Sequence, residues 1–176
     1  KVESGNMYNI KKCQELVITI YNNMDASHDY QHIERVYKNA ETILQSEPQA
    51  DALIVRLAVL LHDVSDAKYA QTKEAEERIL QKLDLTDEQR QHIRDIIASV
   101  SFNGGNELQA KTIEAKIVRD ADRLDAIGAV GIARTFAYGG AKGRKLYDDA
   151  EEARAQMSVE EYRTKSTASV THFYEK

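Results

Sequence analysis

The chain has 176 residues, 42% hydrophobic and 30% charged, with 24 basic against 29 acidic side chains and a net charge of −5. A chain of this length buries roughly 70% of the surface its unfolded form exposes, so neither disulfides nor a structural metal are conditions of folding. The acidic balance argues against broad attachment to nucleic acid, and the longest apolar stretch, 52–61, is broken by Arg56 and far shorter than the roughly 20 residues that cross a bilayer.

The one cysteine, Cys13, cannot form an internal bridge and is expected to be inert. With no charged-then-apolar leader and no Cys-x-x-Cys pair, a reducing, cytoplasmic setting is expected. One proline and eight glycines leave few tight turns for an all-β chain, and the apolar spacing is helical. The expected fold class is all-α, as a single domain over residues 1–176.

In chain order, a first helix is expected from about Tyr8 to Tyr21, turning Ile10, Cys13, Val17 and Tyr21 to the core. A second opens after Ser27 or Asp29, carries Ile33, Val36, Tyr37, Ala40, Ile43 and Leu44 on one stripe, and ends by Glu47-Pro48. A third, from Asp51, is apolar nearly all round through Leu61 and is expected to be the central buried helix. Helices follow over Ala75 to Leu83 and from a Thr86 cap to about Val100, then a loop through Asn103-Gly104-Gly105. The next, from about Thr112, carries Ile113, Ile117, Val118, Ala121 and Leu124 at helical spacing, and the small residues 126–133 predict close helix packing. Residues 139–158 read as a mobile loop. The aromatic cluster His172-Phe173-Tyr174 has nothing after it to pack on, which predicts a missing C-terminal helix and a loop-rich, incomplete C-terminal part.

The third helix runs straight into His62-Asp63. A helix C-terminus already carries partial negative charge, so an ionised aspartate there is unfavourable unless a cation compensates it. His62 and Asp63 lie about 100° apart on a helix and Asp66 falls on the face of His62, so one short segment offers three nitrogen or oxygen groups. His32 borders the apolar stripe of the second helix, four residues after His28. On the later helix Asp120 sits by Lys116 and Arg123, while Asp122 and Asp125 flank Val118, Ala121 and Ala126, where two carboxylates repel unless a cation is near. Each pattern alone has a bland reading as a capping or core histidine or a solvated carboxylate. Their conjunction carries the argument.

Three motifs, His-Asp-x-x-His-x-x-Arg-Val (28–36), Leu-Leu-His-Asp-Val (60–64) and Asp-Ala-Asp-Arg-Leu-Asp-Ala-Ile-Gly-Ala (120–129), resemble those of the HD-domain superfamily of metal-dependent phosphohydrolases. Ser101-Phe102 and Phe136-Ala137-Tyr138-Gly139-Gly140 also resemble its small stand-alone bacterial branch, and the likeness spans about residues 25–140. It implies a compact helical bundle with the metal site between central helices. It also implies His32, His62, Asp63 and Asp122 as metal ligands, with Asp120 the fallback for Asp122 and His28-Asp29 a decoy. Asp66 takes the place of the acidic residue that positions or deprotonates the attacking water in relatives.

Two imidazoles and two carboxylates leave open positions on an octahedral ion, which suits one divalent ion, Mn²⁺ or Mg²⁺ in the first instance and Fe²⁺, Co²⁺ or Ni²⁺ otherwise. Phosphate oxygens need further positive charge, for which Lys68 is the first candidate, with a catalytic as well as a binding role, followed by Arg35, Arg123, Lys142 and Arg144. The expected function is hydrolysis of a phosphoanhydride or phosphoester of a nucleotide, with pyrophosphate release from nucleoside triphosphates favoured. A 5′-nucleotidase and a non-catalytic nucleotide-sensing module are the alternatives. The expected partner is thus a small phosphorylated molecule, with no nucleic acid and no membrane, and a homodimer is left open.

Overall fold

Several helix starts follow side-chain caps, and the central helix follows from an apolar run broken by Arg56 alone. The computed structural model describes residues 2–24, 29–65, 74–100 and 108–175. Helix α1, Val2–Tyr21, begins earlier than its apolar stripe suggests, because residues 3–7 are largely exposed and leave no pattern to mark the start. Helix α2, Tyr30–Leu44, is capped by Asp29, whose carboxylate accepts the His32 backbone N–H at 3.0 Å. Helix α3, Ala52–Leu61, is capped by Asp51, which accepts from the backbone of Leu53 at 3.0 Å and Ile54 at 3.3 Å. Every α3 residue but Ala52 and Arg56 is buried, and Arg56 reaches out to the Glu41 carboxylate at 2.6 and 3.0 Å.

Helix α4, Ala75–Leu80, is shorter than expected, its pattern running on through a turn to the buried Leu83. Helix α5, Asp87–Val100, starts at a capping box in which Gln89 N–H donates to the Thr86 hydroxyl at 3.2 Å and Thr86 N–H to the Gln89 amide oxygen at 2.9 Å. Thr112 caps α6, Ile113–Leu124. Helix α3 sits against α1, α2, α5 and α6, and α2 also packs on α6, so the ends of α3 and α6 meet the start of α2. Cys13 is fully buried beneath this assembly, and burial pushes its thiol up to about 12, which leaves it protonated. Among the described residues there is no strand, and no helix is long and apolar enough to cross a membrane.

The C-terminal third departs from expectation. The small residues 126–133 lead into helix α7, Gly128–Ala141, yet Ile127, Val130 and Ile132 are 59%, 43% and 46% exposed. Within 126–133, close packing is confined to Gly131, where a Cβ would collide with the Ala126 carbonyl. Small side chains permit close approach but do not compel it. The loop expected over 139–158 is present from residue 142 onward, α7 running three residues into it to Ala141, and it ends where Ser158 opens α8, Val159–Thr164, with a capping box. The aromatic cluster belongs to α9, Ser169–Glu175, which packs on α7 and stacks His172 on the Tyr138 ring at 6.2 Å.

Glu175, its side chain 1% exposed, ties α9 to the preceding segment by accepting from Arg154 at 2.7 and 3.2 Å. Burial pushes this carboxyl up, but the Arg154 guanidinium and backbone N–H outweigh it and hold the group below the ordinary glutamate range. A carboxyl lowered in the fold contributes stability above its unfolded pKa, about 4.3, and loses it as pH falls through the folded value. The α9 amides are therefore expected to show faster exchange, relative to the intrinsic rate at each pH, in acid below about pH 4.3. Glu175→Gln is expected to show that faster exchange already at neutral pH; equal protection of the two proteins at pH 7 would refute the tether.

Candidate metal centre

The packing of α2, α3 and α6 sets the site. His32 lies in the first turn of α2, His62 caps the C-terminus of α3 with Asp63 next in chain, and Asp122 lies in the last turn of α6. Both histidines are buried, while the side chains of Asp63 and Asp122 keep 19% and 30% exposure, so the cluster opens to solvent on its carboxylate side. His32 Nε2 is 3.5 Å from Asp63 Oδ2 and 3.4 Å from Asp122 Oδ1. His62 Nε2 is 3.5 and 3.6 Å from the same two oxygens. An ion with bonds of about 2.1 Å sets neighbouring ligand atoms about 3.0 to 3.4 Å apart, close to these spacings.

The outer nitrogens explain why the inner ones are available. His62 Nδ1 faces the Val59 carbonyl at 2.8 Å and so donates, leaving the buried Nε2 as an electron-pair donor with no hydrogen-bond partner. His32 Nδ1 faces Asp125 Oδ2 at 2.7 Å and likewise donates. A buried imidazole nitrogen without a partner, aimed between two carboxylates, is what a divalent ion needs and what a packed core avoids. His32, His62 and Asp63 together offer ligand atoms within 4.8 Å of one another, and this cluster is able to hold a metal ion.

The electrostatics agree. Burial alone would lower the His32 pKa, but hydrogen bonds to Asp122, Asp125 and Asp63 outweigh it and raise it to about 10. For His62 burial is likewise outweighed, chiefly by the charges of Asp63 and Asp122, and the value rises to about 9. Burial pushes Asp63 and Asp122 up, yet the two imidazoles hold both below the usual carboxylate range. The carboxylates thus demand positive charge, met by protons on the imidazoles unless a metal ion replaces them.

Of the cations expected at the substrate, Arg35 is committed elsewhere: its Nε and one terminal nitrogen donate to Asp125 at 2.7 and 3.1 Å. Lys142 and Arg144 lie past the end of α7 over the Tyr138 ring, at 5.9 and 5.1 Å from its centroid, and Arg123 is exposed on α6. Asp120, the fallback ligand, is exposed. Asp66, Lys68 and His28 lie outside the described residues, as do Ser101, Phe102 and the 103–105 loop. Sequence reasoning set Asp125 on the apolar side of its helix without a role, and it missed Arg134, which donates to Asp125 Oδ2 at 2.9 Å and to the Asp125 carbonyl at 3.1 Å. Arg134 had no local signal, since it comes from a different helix.

A helical scaffold that converges imidazoles and carboxylates at the meeting point of its central helices defines a divalent-metal class of domain. The HD-domain family pattern matches residues 29–127. The Bacillus subtilis protein YpgQ is 37% identical over 160 residues, covering 86% of this chain and 78% of that protein. Among solved structures, one from Lactobacillus plantarum is 33% identical with a TM-score of 0.85, covering 96% of this chain and 80% of that one. An HD-superfamily hydrolase from Bacillus thuringiensis is 38% identical with a TM-score of 0.69, covering 97% and 79%. YpgQ in complex with ADP is 32% identical with a TM-score of 0.72, covering 98% and 78%. The chain belongs to the HD-domain superfamily, whose domains bind divalent metals and include hydrolases.

Proposed function

We propose that the chain is a metal-dependent nucleotide phosphohydrolase, with release of pyrophosphate from nucleoside triphosphates as its favoured activity. His32, His62, Asp63 and Asp122 are the residues that would hold its ion, Mn²⁺ or Mg²⁺. The observation that carries this reading is the buried His62 Nε2, without a hydrogen-bond partner and 3.5 to 3.6 Å from carboxylate oxygens of Asp63 and Asp122. The complex of YpgQ with ADP supports a nucleotide as the ligand class.

A divalent ion supplies polarisation of a phosphoryl oxygen and a lowered pKa for attacking water. The chain's own residues do the rest. Asp63 and Asp122 balance the ion's charge, so the centre does not repel a phosphate. The Val59 carbonyl and the Asp125 carboxylate orient the two imidazoles. Asp66 is the proposed acceptor of the proton from attacking water, and Lys68 the proposed cation on the phosphate chain, with Arg123 as support. Attack at the α-phosphorus breaks the bond to the β-phosphate bridging oxygen and yields a monophosphate and pyrophosphate.

The test is a panel of nucleoside mono-, di- and triphosphates, each with Mn²⁺, Mg²⁺ or Co²⁺, read by phosphorus NMR. Monophosphate plus pyrophosphate from triphosphates is the expected result, with turnover lost on chelation. Orthophosphate as the sole phosphate product would replace this activity with a nucleotidase, and no turnover of any nucleotide with any metal would end the hydrolase reading.

A further inference from the structure

Asp125 is the most heavily engaged carboxylate near the centre, and it is not among the four proposed ligands. Its side chain is 3% exposed and accepts from His32 Nδ1 at 2.7 Å, Arg35 at 2.7 and 3.1 Å, and Arg134 at 2.9 Å. Donors from α2 and α7 thus meet a carboxylate at the C-terminal end of α6, and Arg134 also caps that end of the helix through the Asp125 carbonyl. A buried carboxylate is costly unless fully bonded, and two arginines would satisfy it without help. The imidazole is therefore an extra partner, held by one of the shortest bonds in the group.

We propose that Asp125 is the positioning residue of the metal centre, acting through His32, and that Arg35 and Arg134 act on the site by clamping Asp125. The proposal rests on the reading of His32 as a metal ligand. Accepting the Nδ1–H fixes the ring so that Nε2 presents its electron pair toward Asp63 and Asp122, and a carboxylate behind a ligating imidazole makes it a better donor. His62 supplies an internal comparison, because its Nδ1 is held by a neutral carbonyl, that of Val59. The two histidines are thus supported unequally, His32 by a clamped charge and His62 by a backbone dipole. Arg35, expected from its position in the sequence to bind phosphate, has this different task.

The experiment uses the full chain. Free Mn²⁺ is followed by electron paramagnetic resonance during titration, and the imidazole N–H protons are followed by NMR in the Mg²⁺-loaded protein. In the wild type the His32 Nδ1–H proton is expected further downfield than that of His62, as a charge-assisted bond requires. Asp125→Asn, which keeps the side-chain volume and one acceptor, is expected to weaken Mn²⁺ binding about 10- to 100-fold and move the His32 proton upfield while that of His62 stays. Asp125→Ala is expected to lose the His32 proton to exchange; if that variant does not fold by far-UV circular dichroism, Asp125→Asn alone decides. A folded Asp125→Asn with wild-type Mn²⁺ affinity and an unmoved His32 proton overturns the positioning role. Failure of the underlying reading looks different: His62→Ala would then bind Mn²⁺ as tightly as the wild type.

Discussion

Asp63→Ala is expected to abolish bound metal and turnover together while leaving helicity intact. The carboxylate faces both buried imidazoles, 3.5 Å from each Nε2, and lies in chain just beyond α3, so its removal takes away a proposed ligand without opening the core. The loss of metal affinity should exceed the roughly 10- to 100-fold that a supporting residue is worth. Elemental analysis after dialysis, a hydrolysis assay and far-UV circular dichroism check the three parts. Wild-type turnover in the variant would sink the assignment of Asp63. A collapse of helicity would show instead that its role is structural.

The second large effect concerns stability. Leu57 is fully buried in α3, which packs against α1, α2, α5 and α6. Leu57→Ala is expected to cost about 2–5 kcal/mol through lost burial and the cavity left behind, lowering the melting temperature by roughly 10 °C in a chain of this size. Leu146, 66% exposed, is the control, and its replacement by alanine is expected to change stability by about 0.5 kcal/mol or less. Thermal unfolding of the two variants in the presence of a chelator separates packing from metal binding. Equal melting temperatures would contradict the central position of α3. Because α3 delivers His62 and Asp63, Leu57→Ala is also expected to lower turnover, since small misplacements of reacting groups are costly.

Much of the helical part was legible because its signals are local. Asp29, Asp51, Thr86 and Thr112 cap α2, α3, α5 and α6 at the positions their residue types mark, and the apolar run through Leu61 makes α3 the buried centre. The structure brings His32, His62, Asp63 and Asp122 to one point, with His32 fully inside rather than at the core edge. The start of α1, the exposed face of α7 and the docking of α9 were not legible. Polar exposed turns leave no stripe, small residues do not say whether a neighbour is present, and the partner of Tyr138 is thirty-four residues away at His172.

By itself the sequence determined the fold class, the helix caps, the buried central helix and the family, because caps and apolar periods are read within a few residues of chain. Only the tertiary structure decided what those residues face. It turned Arg35 from an expected phosphate ligand into a clamp on Asp125, and it drew Arg134 to the same carboxylate. It also left His62 Nε2 buried and unpartnered among carboxylates. Such roles depend on distances of about 3 Å between groups up to ninety-three positions apart in the chain, as His32 and Asp125 are, and no local pattern encodes a contact of that separation.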